Sequence, residues 1–134
     1  MAGGGDYTHV ALADLPTLPD DEAAWAPVRH AMGLSAFGVN AFTAPSGAIV
    51  IEDHDESGSR HEELYVVLSG RAEFTVGDES FDAPPGTLVA VRDPDLRRVA
   101  HAREEQTTVL AIGGVAGSFE PREWEKRAAE VVGR

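Results

Sequence analysis

The side chains in this sequence whose types and spacing could support shared chemistry are His54, His61, Glu63, Tyr65, Arg97, His101 and Asn40. Imidazole nitrogens and carboxylate oxygens are the donor set for first-row divalent metals, and in a chain with no cysteine any metal must rest on them. A carboxylate beside a fixed guanidinium is the other arrangement this set allows, suited to binding an anion and moving a proton. His61 and Glu63 are two residues apart in a strand-like run, HEELYVVLS, so alternation puts them on one face together with Tyr65 and Val67. A carboxylate on the inner face of an apolar strand is costly without a partner, which favours a functional or paired role for Glu63.

The run that carries Glu63 is apolar on both faces beyond that residue, so the strand is expected to be covered on both sides. Short strands punctuated by Gly and Pro follow each other from Ala36 to Gly114: Leu34–Phe42, Ala48–Glu52, the central run, Ala72–Val76, Thr87–Val91, Leu96–Ala102 and Thr107–Ile112. This spacing predicts an all-β, antiparallel sandwich or barrel with polar groups at its mouth. In the first strand Phe37, Val39 and Ala41 share one face, and Asn40 lies on the other with Gly38 and Phe42, as a candidate substrate contact. Arg97 and Arg98 alternate, so only one of them faces inward.

Towards the N-terminus, residues Met1–Asp6 read as a frayed glycine-rich tail. Val10, Leu12 and Leu15 alternate as a short strand would, Thr17–Glu22 is turn-like, and Pro27 argues against a long helix between Trp25 and Met32. At the other end Pro121–Val132 carries Trp124, Ala128 and Val131 or Val132 at helical spacing, which predicts an amphipathic helix. The organisation is thus an arm over 1–34, a barrel over 35–114 and a C-terminal helix over 115–134.

With a net charge of -12 and Lys126 as the one lysine, a nucleic-acid partner or an anionic membrane surface is not expected. The start of the chain lacks signal-peptide features, and no apolar run approaches the ~18 residues of a membrane span, so the expected location is the cytoplasm.

Glu63-LYVVLS-Gly70 and Pro84-Pro85-Gly86 bring a family into view. Gly47 to His101 resembles the cupin domain, whose motifs are G-x5-H-x-H-x(3,4)-E-x6-G and G-x5-P-x-G-x2-H-x3-N. The chain looks most like the small single-domain cupins of bacteria. The resemblance implies a jelly-roll β-barrel with a short C-terminal α-helix, a homodimer, and a small-molecule ligand inside the barrel. It also implies that two motif histidines, the motif glutamate and the second-motif histidine converge on a metal.

Here the match departs from the pattern. Counting from Gly47 puts Asp53 and Asp55 at the two His positions, while a slip of one puts His54 and Glu56 there; Ser57-Gly58-Ser59 looks like an insertion before Glu63. Aligning the second motif puts Arg97 at its His and His101 at its Asn. Two readings stay open. In one, a single divalent metal (Fe, Mn, Ni or Zn) sits on His54, His61 and Glu63, with His101 near by, and the resemblance implies a dioxygenase, isomerase or cyclase. In the other there is no metal, Arg97 supplies the fixed positive charge beside Glu63 for an anionic molecule, and the protein is an enzyme or a binding or sensor module with Tyr65 and Asn40 lining the pocket. For the loop Asp53–Glu56 a solvated acidic surface is the alternative to either.

Overall fold

The computed structural model describes residues 3 and 5–133. Met1, Ala2 and Gly4, part of the expected frayed tail, lie outside the described residues, as does Arg134. The strands, in chain order, are β1 (Leu18–Asp20), β2 (Ala23–Ala26), β3 (Gly38–Ala44), β4 (Ile49–His54), β5 (His61–Ser69), β6 (Ala72–Val76), β7 (Glu79–Ala83), β8 (Leu88–Val91), β9 (Arg98–Ala102) and β10 (Thr107–Val115). They form a six-stranded sheet in the order β1-β2-β3-β10-β5-β8 and a four-stranded sheet in the order β4-β9-β6-β7, all pairs antiparallel.

The expected all-β jelly roll is therefore present, with one correction: the sheets face each other as a sandwich and do not close into a barrel. Side chains of alternate residues fill the space between them. Tyr65 and Val67 of β5, Phe74 of β6, Val89 and Val91 of β8, Ala100 and Ala102 of β9, and Val109 and Ala111 of β10 are all buried in one cluster. Tyr65, Phe74 and Phe81 run through this core as a chain of neighbouring rings. A smaller cluster of Leu15, Ala26 and Ala41 lies on the outer side of β3.

Gly70 fixes the reversal from β5 to β6. Its φ is +71°, and a Cβ there would lie 2.4 Å from Thr107 Oγ1, so only glycine fits against the first residue of β10. Buried Thr107 in turn ties the neighbouring loops together, donating to the Glu104 carbonyl at 2.7 Å and accepting from the Arg71 N–H at 3.2 Å.

The N-terminal segment differs from its expected form. The strand expected through Val10–Leu15 is replaced by a 3-10 turn at Leu12–Asp14, and the stretch read as turn contains β1. β2 pairs with β3 and β1 with β2, so the arm adds two short strands to the larger sheet; helix α1 (Val28–Met32) is one short turn and a half ending at Gly33. The C-terminal helix starts later than Pro121, as a 3-10 segment over Glu123–Arg127 that passes into α2 (Ala128–Val132). Among the described residues no helix is long and apolar enough to cross a membrane.

Candidate metal centre

Glu63 reaches the interior because three strands place it there. In register it lies opposite Gly113 of β10 and Val91 of β8, and two residues on Tyr65 lies opposite Ala111 and Val89. Gly113 and Ala111 are small, so the inner face of β10 leaves a hollow where larger residues would have filled the core; a Cβ on Gly113 would meet Glu63 Cγ at 3.5 Å and His61 Nδ1 at 3.4 Å. The result is a cavity of about 250 Å³ with Phe42, Ile51 and Ala111 as apolar walls and Asp20, Glu52, His54, Glu56, Glu63 and Tyr65 as polar ones.

His54 enters this cavity through an irregularity in β4. Ile51 pairs with Ala100 and His54 with Arg98, so three residues of β4 span the distance of two in β9. The extra residue is a β-bulge, and it turns His54 to the same side as Ile51, where strict alternation would have turned it away. His54 Nδ1 then donates to the Glu52 carbonyl at 2.7 Å, and Nε2 faces Glu56 Oε2 at 2.8 Å and Glu63 Oε1 at 3.6 Å. The loop from Asp55 through the Ser57-Gly58-Ser59 insertion is built in detail: the Glu56 N–H donates to the Pro94 carbonyl at 2.7 Å, the Asp55 side chain accepts from the Ser57 N–H at 3.0 Å, and Ser59 Oγ donates to Glu56 Oε1 at 2.6 Å.

Below this pair lies the positive charge. Arg98 is fully buried, and its Nη1 donates to Glu63 Oε1 at 2.8 Å, with the Leu96 carbonyl taking Nε–H at 3.1 Å. The Tyr65 hydroxyl donates to the same carboxylate oxygen. Among the described residues no buried side-chain nitrogen or oxygen lacks a hydrogen-bond partner, so these groups form a satisfied network.

These contacts set the protonation states. Burial alone would raise the Glu63 carboxyl, but hydrogen bonds from His54 and Tyr65 and the charges of His54 and Arg98 outweigh it and hold it below its usual range. His54 is pushed up to about 9, first by its hydrogen bond towards Glu63, then by the Glu52 carbonyl and the charges of Glu63 and Glu56, against burial. Glu56 Oε2 is the nearer acceptor at 2.8 Å, so the imidazolium Nε2–H donates to Glu56, while Glu63 Oε1 at 3.6 Å is held by charge. Tyr65 is raised by burial and by Glu63, and keeps its proton. At the mouth, Asp20 raises Glu52 by like-charge repulsion.

The residues singled out from the sequence divide accordingly. His54, Glu63 and Tyr65 come together in the cavity. Arg97 does not: it is well exposed and pairs with Asp53 at 3.1 Å and Asp55 at 3.8 Å, while Arg98 occupies the inward position that the motif alignment had given to Arg97. His101 falls on the outward side of β9, opposite in phase to buried Arg98, Ala100 and Ala102. His61 is half-buried over Gly113 and is not one of the converging ligand atoms, which are those of His54, Glu56 and Glu63. Asn40 pairs in register with Ala111 and is half-buried, but it is outside the lining of the cavity. Arg98 and Glu56 complete the site. The slip of one in the motif count contained the signal for Glu56, and the alternation of Arg97 with Arg98 contained the signal for Arg98.

No protein-family profile and no curated protein sequence matches the chain. Solved structures do. A cupin protein from Bacteroides fragilis is 22% identical, with 90% of this chain and 94% of that one covered at a TM-score of 0.65. The chain has the cupin fold. A cupin-superfamily sugar phosphate isomerase from Silicibacter pomeroyi (20% identity, 79% and 74% covered, TM-score 0.64) and a predicted oxalate decarboxylase from Thermotoga maritima (15%, 81% and 99%, TM-score 0.67) share it. In this cupin fold the ligand atoms of His54, Glu56 and Glu63 lie within 4.8 Å of one another, close enough to surround one ion.

Proposed function

We propose that the cavity holds one divalent metal ion on His54 Nε2, Glu56 and Glu63, and that the protein is an enzyme acting there on a small, oxygen-rich molecule. The observation that carries this is the support behind each ligand. The far nitrogen of His54 is tied to the Glu52 carbonyl and the far oxygen of Glu56 to Ser59, while Glu63 is fixed by Arg98 and Tyr65 on Oε1, the oxygen that faces His54. Outer hydrogen bonds of this kind orient metal ligands and select the free tautomer of a ligating histidine. The donor set fits: one imidazole and two carboxylates suit Mn, Fe, Ni or Zn and leave positions for a substrate oxygen. Charge fits too, because Glu56, Glu63, Glu52 and Asp20 outnumber His54 and Arg98 around the cavity.

When bound, such an ion supplies Lewis-acid polarisation of an oxygen that reaches it. The chain's own residues do the rest. Phe42, Ile51 and Ala111 shape an apolar wall, His54, Tyr65 and Arg98 together hold Glu63 ionised, and Tyr65 keeps its proton where it can donate to the Glu63 oxygen. The sugar phosphate isomerase and the predicted oxalate decarboxylase among the fold neighbours favour a substrate rich in oxygen donors. An anion anchored on Arg97 is no longer supported, since that side chain is outside the cavity.

Metal analysis of untagged protein tests the reading. About one Mn, Fe, Ni or Zn per chain is expected, falling to roughly a tenth or less in both His54→Ala and Glu56→Ala while the fold is kept. A metal-free chain after equilibration with micromolar metal would overturn it in favour of the metal-free site built on Arg98 and Glu63.

A further inference from the structure

The cavity that holds His54, Glu56 and Glu63 also has a mouth, and Asp20 and Glu52 stand side by side there. Asp20 is the last residue of β1 and Glu52 lies in β4, so the pair brings the N-terminal arm against the smaller sheet. What holds them together lies outside the pair: Glu22, in the tight turn between β1 and β2, accepts from the Ile49 N–H of β4 at 3.0 Å. Like charges set beside each other cost stability. Among the described residues neither Asp20 nor Glu52 forms an ion pair that would offset that cost.

The walls supply no counter-charge either. Arg98 is fully buried against Glu63 and is not part of the lining, and Arg97 is engaged outside with Asp53 and Asp55. With His54 neutral on a divalent ion, the four carboxylates of the lining still outnumber the ion's two charges and the single one of Arg98. An anion entering past Asp20 and Glu52 is repelled and, apart from the ion, meets no cationic side chain. A cation is attracted at the same place. Phe42 adds an aromatic wall to the same cavity, and aromatic rings accept cations over their faces.

We propose that the molecule bound in this cavity carries an ammonium group, held by Asp20 and Glu52 at the mouth, and a hydroxyl or carbonyl oxygen directed at the ion. Its class is a short amino alcohol or amino ketone, not a phosphate or a carboxylate; the cavity of about 250 Å³ admits only a small molecule. The oxygen end rests on the metal centre proposed above. The ammonium end rests on the mouth, so the two can be tested apart.

Three probes of nearly one shape and different charge make the test: propanolamine, propanediol and hydroxypropionate, titrated at pH 7.5 into Zn²⁺-loaded and into metal-free full-length protein, with binding followed by amide chemical shifts. Two carboxylates acting at about 4 Å give propanolamine an advantage of at least about tenfold over propanediol, with hydroxypropionate weaker still. Added salt should narrow the gap. In Asp20→Asn/Glu52→Gln, which keeps the side-chain shapes and removes the repulsion, the advantage should fall below about threefold while metal content and urea midpoint are no lower than in the parent. A protein that takes up no metal yet keeps the preference for propanolamine supports the ammonium end and defeats the metal centre. One metal per chain with propanediol or hydroxypropionate bound as tightly as propanolamine, or a preference that survives the double substitution, overturns the ammonium proposal and leaves the metal centre standing. No binding of propanolamine at about 50 mM overturns it as well.

Discussion

Arg98→Met removes the charge on which the interior is balanced. Arg98 is wholly buried and Glu63 nearly so, with 0% and 15% of their side chains exposed and 2.8 Å between nitrogen and oxygen. Breaking one side of a buried pair costs about 3–5 kcal/mol, because the remaining charge is stranded. Tyr65 and His54 still reach Glu63, so the lower end applies, about 3 kcal/mol. For 134 residues the unfolding entropy is about 0.28 kcal/mol/K, and the loss corresponds to a Tm lower by about 11 °C. Urea unfolding of metal-free protein at pH 7, followed by far-UV circular dichroism, measures it. Glu63→Gln keeps an acceptor for Tyr65 and discharges the pair, so the double variant Arg98→Met/Glu63→Gln should cost less than the two single changes added together, with a coupling of about 2 kcal/mol. An Arg98→Met protein within about 0.5 kcal/mol of the parent, or strict additivity in the double variant, would refute the reasoning.

Other consequences follow from the same contacts. His54 has its folded pKa raised from 6.5 to about 9, so its contribution to the stability of metal-free protein is complete below pH 6.5 and is lost as pH rises through 9; urea midpoints should fall across that window, and the fall should vanish in His54→Gln. Glu63 is shifted the other way, so its contribution is present above pH 4.5 and disappears as pH falls through its lowered value; Glu63→Gln should flatten the acid side of the same profile. Gly70→Ala forces a Cβ to within 2.4 Å of Thr107 at a positive φ and should cost about 3 kcal/mol or more in urea unfolding, whereas Gly58→Ala, with open space around it, should be nearly neutral. Arg97→Ala should change stability by less than about 0.5 kcal/mol and leave metal content untouched, because its pairs with Asp53 and Asp55 are exposed.

What the sequence reveals and what it hides have physical causes. β5 is legible because its alternation is unbroken from His61 to Val67, and from it follow the inward Glu63, the buried Tyr65 and the tight reversal at Gly70. β4 is not, because a bulge between Ile51 and His54 shifts the phase by one residue, and nothing in IVIEDH distinguishes a regular strand from a bulged one. That one-residue shift is what brings in His54 and leaves Asp53 outside to pair with Arg97. The second motif fails for a related reason: the phase of β9 is set by its pairing with β6, where Ala72, Phe74 and Val76 meet Ala102, Ala100 and Arg98, and this pairing turns Arg97 and His101 outward together. Closure into a barrel is not legible, because strand spacing alone does not say whether β8 and β7, both edges here, bond to a neighbour. The C-terminal helix was visible by periodicity, but not its exposed state, since an apolar stripe states only that something is to be covered.

The central claim, that His54, Glu56 and Glu63 converge on a cation, carries a proton signature. With its pKa near 9, His54 is protonated at pH 7.5 and must release that proton to coordinate through Nε2. Calorimetric titration of metal-free protein with Zn²⁺ or Mn²⁺ at pH 7.5, in buffers of different ionisation enthalpy, counts it. The account predicts saturable binding of one ion per chain with about one proton released. Binding without proton release, release that persists in His54→Ala, or no binding at all would contradict it.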